Sequence, residues 1–583
     1  MNEKRTEALP LDKRSRAEFV PRPPKIFSTS KDQQQTVANK PALDRGRSIL
    51  AFLSLLSVLL CALPLIAVAL AALGDTKTIS RLGTTLLPAY ALTTLQIMVL
   101  VGLGTALIGA GAAWLVTAYE FAGRRVLEIA LVIPLAFPAY VLAYAYTDLL
   151  DHPGAVQTLL RSIFDWGPRD YWFPEIRSPG GAALMLTLVL YPYVYLITRA
   201  ALLMQGLTPF MVARSLGSSS PRAFFQIALP MVQPAILGGV LLALMETIAD
   251  FGTVAHFGVQ TLATGIYTTW FTLGDRTASA QMALGLLAIA LLLLVLERYR
   301  KAGEQQLAQD ANRKRHSRLH LTGGKAALAA AACGLPVLLG AVIPIIMLVL
   351  LAFDSEQNWL SARYLSFATN SLILASTAAG FTVLIAVTLS YHRRLSRSPF
   401  SRLAMAVGRM GYAVPGGVIA VGLFIPFAAF DNAVDAWARE TLGISTGLIF
   451  SGSIALLVMA YAIRFLAAAL GAWRAGEAIV TRDLDHAAQG MGASTLTILR
   501  RIHIPILTPA ALTALLLVFV DTIKELPATL IMRPFGWDTL AVQAYRLAAD
   551  ERLEGAAVPS LVIVMIGLLP VILLCSRMGD KTK

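Results

Sequence analysis

Twelve long apolar runs determine what this chain can fold into. Each run can cross the apolar core of a bilayer, which is about 30 Å thick and takes roughly 20 helical residues. None alternates apolar and polar residues as the strands of a membrane barrel do, so the runs predict helices. Only 14% of the 583 residues are charged, whereas a soluble domain carries about 25%. We therefore expect an all-α integral membrane protein with about twelve transmembrane helices. The runs lie at approximately 48–73, 92–118, 126–149, 180–200, 231–254, 279–297, 326–352, 368–391, 403–429, 446–470, 508–531 and 556–576.

The positive charges are distributed unevenly between the loops. If the N-terminus is cytoplasmic, 35 of the 49 Lys and Arg residues lie in loops and tails on that side, and 11 lie on the other. Cytoplasmic loops of membrane proteins carry such an excess, so both termini are predicted in the cytoplasm. The net charge of +14 then needs no nucleic-acid partner, and none is expected.

The chain also contains an internal repeat. Gly217 precedes Pro230 by thirteen residues, and Gly492 precedes Pro505 by the same distance, at an offset of 275 residues. Further pairs at this offset, or within two residues of it, are Glu246 with Asp521, Asp250 with Glu525, and Pro138 with Pro415. Six predicted spans in each half make the two repeats parallel, which brings both Gly-to-Pro loops to the cytoplasmic face. The expected organisation is a polar cytoplasmic tail (1–47), a first transmembrane domain (48–298), a basic cytoplasmic linker (299–325) and a second transmembrane domain (326–583).

Both Gly-to-Pro loops have the pattern of a short helix, a turn and a second helix. Thr208 and Asp483 are suitable helix N-caps, about eight residues of helix fit before each glycine, and a glycine at that point permits a left-handed turn. Amphipathic stretches follow, and Pro230 and Pro505 are predicted to begin a membrane helix. An ordinary connecting loop is the simpler alternative for either copy.

The spacing in these loops resembles a family motif. Glu-Ala-Ala, three residues, Gly, nine residues and Ile-x-Leu-Pro is typical of the inner-membrane permeases of binding-protein-dependent ABC importers. The glutamate is absent from both copies here, although Asp485 lies one residue early in the second. The residues that carry the resemblance are Ala213, Gly217, Ile227, Leu229 and Pro230 in the first copy, and Ala487, Ala488, Gly492, Ile502, Ile504 and Pro505 in the second.

The resemblance implies a fused, two-domain permease of the type I ABC importer kind in a bacterial inner membrane. In that family these loops couple the permease to ATPase subunits, so we expect two copies of a cytoplasmic ATPase and a periplasmic substrate-binding protein as partners. The sequence has no Gly-x-x-x-x-Gly-Lys-Ser/Thr motif, the loop that cradles nucleotide phosphates. ATP and Mg²⁺ are therefore expected on the partner subunits. We expect no catalysis, no cofactor and no clustered metal ligands in this chain.

Within the family, two stretches resemble the ferric-iron branch in particular, one from Met245 to Thr253 and one from Gly265 to Trp270. Thiamine, phosphonate and polyamine permeases remain alternatives. A different class, the ion-gradient-driven secondary transporter, also often has twelve spans in two halves. The twin loops argue against that class, because a gradient-driven carrier has no motor subunit to bind.

Four acidic residues lie near the C-terminal ends of the two matched spans that follow the Gly-to-Pro loops. Glu246, Asp250, Asp521 and Glu525 would be costly in a bilayer unless they face water or partners. One hypothesis is that they line the translocation pathway and favour a cation. The alternative is that they cap or cross-link helices, with Lys524 neutralising a neighbour.

Two prolines are candidates for a gate. Pro138 and Pro415 are expected to break or kink their helices, and simple packing kinks are the alternative.

Overall fold

The computed structural model describes residues 45–74, 86–304, 318–355, 357, 361–477 and 479–579. Most of these residues are helical, as expected for a chain in a solvent that offers the backbone no hydrogen bonds. Eleven described helices are long and apolar enough to cross a membrane, and a bent pair of helices brings the number to twelve. The prediction of an all-α integral membrane protein is confirmed. The predicted tail (1–47) and the centre of the basic linker fall largely outside the described residues.

Helices α1 to α12 form the part of the chain before the linker. They are α1 (Arg45–Ala71), α2 (Leu86–Ala118), α3 (Arg124–Ala130), α4 (Ala139–Leu150), α5 (Ala155–Phe164), α6 (Pro179–Gln205), α7 (Thr208–Ser215), α8 (Ser220–Ala223), α9 (Leu229–Ala249), α10 (Gly252–His256), α11 (Leu262–Tyr267) and α12 (Arg276–Glu304). Single π-helical turns connect α8 to α9 and follow α11.

Helices α13 to α24 form the second part. They are α13 (Gly324–Val337), α14 (Ile343–Asp354), α15 (Ala362–Leu395), α16 (Pro399–Met410), α17 (Gly416–Leu442), α18 (Ile454–Glu477), α19 (Arg482–Gly490), α20 (Thr495–Ile498), α21 (Ile504–Ile523), α22 (Pro527–Met532), α23 (Leu540–Ala549) and α24 (Leu553–Gly579). A two-residue parallel pairing of β1 (Tyr119–Glu120) with β2 (Leu319–His320) joins the end of α2 to the chain that enters α13.

Two predicted spans differ from the structure. The run at 126–149 is a broken span, because a 3₁₀ turn at Ile133–Ala136 and Pro138 separate α3 from α4, and the two segments bend by 95°. The predicted span at 403–429 begins too early. Its first part is the separate helix α16, and the spanning helix α17 starts only after Pro415 and runs to Leu442. Proline lacks the amide that a continuous helix needs, which explains both breaks.

The first helix of each part packs against the other part. Ser54 of α1 hydrogen-bonds His392 of α15 at 2.9 Å. The backbone of α1 at Pro64 lies so close to Gly422 of α17 that a Cβ on the glycine would meet the Pro64 carbonyl oxygen at 2.3 Å. In the other direction, the Tyr146 hydroxyl of α4 donates to the Leu339 carbonyl beyond α13 at 2.6 Å. The two parts are therefore interlocked in one compact unit from Gly46 onward.

Small residues let the central helices approach each other closely, as is typical of helix packing in membranes. On α2, a Cβ at Gly109 would lie 2.7 Å from the Tyr191 carbonyl oxygen and 2.7 Å from Val194 Cβ, both on α6. Gly111, half a turn further along α2, has no atom within 4 Å of such a Cβ. The contact of α2 with α6 therefore depends on one glycine and not on its neighbour.

This pair of glycines gives a matched test of the packing. Gly109→Ala should lower the unfolding free energy by about 1–3 kcal/mol, because α6 presents backbone atoms that cannot move aside independently. Gly111→Ala should leave stability unchanged or raise it, since alanine favours a helix by about 1 kcal/mol over glycine. Thermal unfolding of both variants in detergent is the measurement. Equal stability of the two variants would contradict the close contact of α2 with α6.

Candidate functional site

The number of candidate membrane spans between the two predicted coupling loops puts both loops on the same face of the protein. We call residues 206–219 the first glycine loop and residues 479–494 the second. Six candidate spans separate them, from Ser220–Ala249 to Ile454–Glu477, and none of the six is the bent pair. An even number of crossings returns the chain to its starting side. The two loops therefore share one face, which we call the loop face, and the other ends of the helices form the far face.

Each glycine loop contains the predicted short helix closed by a left-handed glycine. α7 and α19 precede Gly217, with a φ of 92°, and Gly492, with a φ of 81°. The amide of the residue after each glycine donates to the carbonyl five residues earlier. These bonds run from Ser218 to Ala213 and from Ala493 to Ala488, both at 3.0 Å. This is the Schellman arrangement, which ends a helix and reverses the chain in few residues.

The predicted N-caps of these helices are wrong. Thr208 is already helical and Leu207 is the cap residue of α7, without a side-chain cap bond. In α19 the cap is Thr481, and Asp483 lies in the first turn. There its charge is favourable because the first turn of a helix has a positive potential.

After each glycine the chain takes the same local path into the membrane. A short helix, α8 or α20, leads to a π-helical turn, Phe224–Ala228 or Leu499–His503. Pro230 and Pro505 are then the second residues of α9 and α21. Ile227, Leu229 and Ile502 are half-buried there, whereas Ile504 is exposed.

The same backbone arrangement is held by different chemistry in the two loops. In the first, the buried Phe210 of α7 packs edge-on against Trp114 of α2, with ring centroids 4.9 Å apart, and Trp114 also contacts Phe224 at 5.0 Å. Asp485 is the residue 275 positions after Phe210, and it is buried as well. The first loop is thus fixed to its helix bundle by aromatic packing.

The second loop is fixed by charge. One oxygen of Asp485 accepts from Arg394 Nε at 2.6 Å and the other contacts His503 Nε2 at 2.7 Å. Arg394 also donates to the carbonyls of Val480 and Thr481, at 2.9 and 3.0 Å. The acidic residue that lies one position early in the motif therefore points into its own protein and not outward. The sequence does not indicate that Arg394, one of several basic residues in its loop, binds Asp485.

The surfaces of the loops that point away from the bundle are matched. Leu216 and Met491 directly precede the two glycines, and each is 81% exposed. Ala213 and Ala488 are buried against the bundle, and Ala487 is exposed. The two loops therefore expose an apolar side chain at the same position before the turn.

The four predicted acidic residues meet at one cavity between the two parts of the chain. The cavity has a volume of about 120 Å³, and its walls include Tyr140, Tyr193 and Pro138 as well as all four carboxylates, Arg464 and Lys524. Four carboxylates against one guanidinium and one ammonium leave a formal charge of −2. The structure brings these residues together, and the sequence did not reveal that Arg464 would join them.

The four carboxylates have different local partners. Asp250 accepts from the amides of Thr253 and Val254, at 3.1 and 3.3 Å, and so caps α10. Glu525 accepts from the amides of Ala528 and Thr529, at 3.0 and 3.3 Å, and caps α22 in the same way. These two residues have the capping role that was the alternative to a pathway role.

The other two carboxylates pair with cations. Asp521 lies 2.9 Å from Lys524 Nζ, as the sequence suggested. Glu246 lies 4.0 Å from Arg464 Nη2, and its side chain is 29% exposed. Asp521 is almost equally exposed, at 28%, but it lies closer to its cation, so Glu246 is the less tightly paired of the two.

Pro138 and Pro415 hold equivalent positions. Each is the N-cap residue of a helix, α4 or α17, and each follows a 3₁₀ turn. Pro138 lines the cavity, and Gly416, the residue after Pro415, directly faces Arg464 and Glu525. The structure thus confirms two helix breaks beside the cavity, and their role in a gate stays a prediction.

On the far face, one arginine connects the two parts of the chain. Arg177 donates to Glu551 through two nitrogens, at 2.8 and 2.9 Å, and to Asp151 at 2.8 Å. Tyr545 lines a pocket together with Arg177 and Glu551, and its ring contacts Phe251 at 5.6 Å, which in turn stacks on Tyr267 with centroids 3.8 Å apart. Phe251 also lines the central cavity. Ion pairs and stacked rings therefore lie between the cavity and the far face.

No group of three or more His, Cys, Asp or Glu side chains suited to hold a metal ion occurs among the described residues. The four cavity carboxylates include two that are engaged in helix caps, so they do not form a preformed ligand set.

Comparison with known proteins shows a similarity to transport permeases. No family model matches the chain. An Fe(3+)-transport system permease protein, FbpB 2 of Haemophilus influenzae, is 26% identical over 489 residues, which cover 82% of this chain and 88% of the relative. A probable ABC transporter permease protein, y4fN of Sinorhizobium fredii, is 24% identical over 79% of this chain and 82% of the relative. The molybdenum transport system permease protein ModB of Escherichia coli is 27% identical over 193 residues, or 32% of this chain and 81% of the relative.

These relatives confirm the predicted resemblance to ABC importer permeases, with the ferric-iron branch among the matches. Together with the helices long enough to span a bilayer, they support a multi-pass inner-membrane protein that acts as a non-catalytic permease subunit.

The ionic attachment of the second glycine loop predicts a pH dependence. Burial raises the pKa of Asp485, but the hydrogen bonds from His503 and Arg394 lower this pKa by a larger amount. The pKa of Asp485 therefore lies below its usual value. A carboxyl whose pKa is depressed by folding stabilises the folded form above its ordinary pKa, and this is lost as the pH falls through the folded value. Hydrogen exchange of residues 482–490 should therefore show protection at pH 7 that is lost below about pH 4.

A pair of variants separates this effect from a general one. Asp485→Asn should lower the opening free energy of α19 by about 2 kcal/mol at pH 7, since hydrogen bonds to a charged group contribute about that much. Asp483→Asn, on the exposed side of the same helix, should change little. Unchanged protection in Asp485→Asn would show that the ion pair does not hold the loop.

Proposed function

We propose that this chain is the membrane-spanning permease of an ATP-driven importer that moves its cargo from the periplasm to the cytoplasm. The observation that carries the proposal is the pair of glycine loops. They share one face, end in the same left-handed turn and present equally exposed apolar residues, Leu216 and Met491. A protein that transports by itself has no use for two matched binding surfaces, whereas a motor with two subunits needs both.

The motor in this proposal is a separate ATPase, one copy on each glycine loop, which binds the ATP and Mg²⁺. When the two copies close on ATP, they move the loops toward each other, and the interlocked helices carry this movement to the cavity. The excess of Lys and Arg on the loop face supports a cytoplasmic position for the loops and both termini. A periplasmic binding protein would deliver cargo to the far face, where the Arg177–Glu551 pair joins the two parts of the chain.

Ferric iron is the cargo that we propose. The relative from H. influenzae is by its name a ferric transport protein, and the formal charge of −2 in the cavity favours a cation. Molybdenum and sulfate are the cargoes in the names of shorter relatives, and oxyanions suit this cavity less well. Thiamine, phosphonate and polyamine remain alternatives within the same class. A gradient-driven carrier is the alternative from another class, in which the cavity carboxylates would carry protons.

Loss of the left-handed turn should release the motor. Gly217→Ala and Gly492→Ala each place a side chain at a positive φ, which costs roughly 1–2 kcal/mol and displaces Leu216 or Met491. Each single variant should retain less ATPase on co-purification, and the double variant should retain almost none. Gly490→Ala is the control, because that glycine has helical backbone angles and open space around its Cβ position. Full retention of the ATPase by the double variant would exclude the glycine loops as the attachment.

Neutralising Glu246 should impair iron uptake. Glu246→Gln preserves the shape of the side chain and removes a partly exposed carboxylate of the cavity that is only loosely paired with its cation. Uptake of ⁵⁵Fe by cells that depend on this permease should fall by about tenfold, the effect of roughly 1.4 kcal/mol in binding or passage. The assembled complex should be recovered in normal amounts. Glu440→Gln, an exposed acid outside the cavity, is the control, and normal uptake by Glu246→Gln would remove this residue from the pathway.

A further inference from the structure

Arg464 lies between acidic residues from both parts of the chain. It projects from α18 into the cavity, and its side chain is 12% exposed. Nη2 is 4.0 Å from an oxygen of Glu246, and Nη1 is 3.8 Å from an oxygen of Glu525. Both distances exceed that of a hydrogen bond. The guanidinium is therefore attracted by both carboxylates without being fixed to either.

The hydrogen bonding of Arg464 is incomplete. Nη1 is buried and donates no hydrogen bond to any described residue. A guanidinium carries five N–H donors, and a buried donor without an acceptor is unfavourable. Arginine frequently binds a carboxylate in a bidentate manner, as the partly exposed Arg177 does with Glu551 on the far face. Arg464 lacks this geometry, so it is not a rigid cross-link.

The space for this arrangement comes from a glycine. A Cβ on Gly416 would lie 2.5 Å from Arg464 Nη1 and 2.5 Å from Glu525 Oε1. Gly416 has no positive φ, so alanine could adopt its backbone angles. The absence of a side chain at this position is what lets the guanidinium and the carboxylate face each other.

The first part of the chain supplies no corresponding cation. At the offsets of 275 to 277 that relate the two parts, Arg464 corresponds to residues 187–189, which are Thr187, Leu188 and Val189. Val189 lines the cavity. The cavity is thus acidic from both sides and receives its guanidinium from one side only.

We propose that Arg464 is an internal counter-ion that competes with cationic cargo for Glu246 and Glu525. It occupies the acidic position when the cavity is empty and is displaced when a multivalent cation arrives. Coulomb energy scales with the product of the charges, so a trivalent ion is attracted three times as strongly as the guanidinium at equal distance, whereas a monovalent ion has no such advantage. The competition selects highly charged cations and weakens their binding enough for release. This inference rests on the proposed function, since it takes the cavity to be the cargo path.

Terbium luminescence can test the competition on the purified full-length permease. Tb³⁺ is trivalent and does not change oxidation state, and Tyr140 and Tyr193 in the cavity wall can sensitise its emission. Arg464→Gln should raise the affinity for Tb³⁺ by about tenfold, because the carboxylates lose their competitor. Damage to the fold would have the opposite effect. Arg464→Lys keeps the charge and should stay within about threefold of the wild type.

Two further variants complete the test. Arg439→Gln removes the same charge from an exposed position, with a side chain 63% accessible, and should leave Tb³⁺ affinity unchanged. If Arg464→Gln does not give monodisperse protein, Gly416→Ala is measured in its place. Its methyl group separates Arg464 from Glu525, so this variant should also bind Tb³⁺ more tightly than the wild type. Adding Glu246→Gln to Arg464→Gln or to Gly416→Ala should lower the Tb³⁺ affinity again.

The inference is overturned if Arg464→Gln binds Tb³⁺ no more tightly than the wild type, or if Arg439→Gln gains equally. In the fallback case, a Gly416→Ala variant without a gain overturns it. The proposed iron cargo is tested separately by ⁵⁵Fe uptake in wild-type cells. If that uptake is absent while the terbium pattern is as expected, the counter-ion stands and the cargo is another multivalent cation.

Discussion

A backbone amide in the apolar part of a bilayer has no water to bind, so every break in a membrane helix needs a partner from the protein itself. In this protein two such breaks lie beside the cavity, before α10 and before α22, and an acidic side chain binds the free amides at each of them. Asp250 caps α10 and Glu525 caps α22 with nearly the same bonds. The charge of the cavity is therefore partly a consequence of its architecture. At these two breaks carboxylates bind the amides of the non-helical backbone, and the same carboxylates contribute to the acidity of the cavity.

The two parts of the chain reach similar geometry by different chemistry. Phe210 and Trp114 hold the first glycine loop by ring packing, whereas Asp485, Arg394 and His503 hold the second by charge. Aromatic packing depends little on pH, and an ion pair depends on it strongly. The two parts also contribute differently to the cavity, since its guanidinium, Arg464, comes from the second part only. A single polypeptide can diverge in this way, because each part always meets the other and never a second copy of itself.

The sequence predicted the all-helical fold and the two glycine loops because these depend on local signals. Long apolar runs directly predict the membrane helices. A glycine followed at a fixed distance by proline predicts the turns at Gly217 and Gly492. Helix bounds were less certain wherever proline competes with an apolar run, as at Pro415, where the span starts later than predicted. Contacts between distant residues were not accessible. Neither Arg464 beside Glu246 nor Arg394 beside Asp485 has any signal in sequence spacing, because helix packing alone creates both pairs.

The account depends on two matched surfaces that each bind one motor subunit. Cross-linking tests this directly, with a cysteine introduced as Leu216→Cys, as Met491→Cys, or as both, in the assembled complex. Each single variant should capture one copy of the ATPase and the double variant two, while Phe535→Cys, a fully exposed position on the far face, should capture none. Capture at only one loop, or at neither, would contradict a permease driven through both loops.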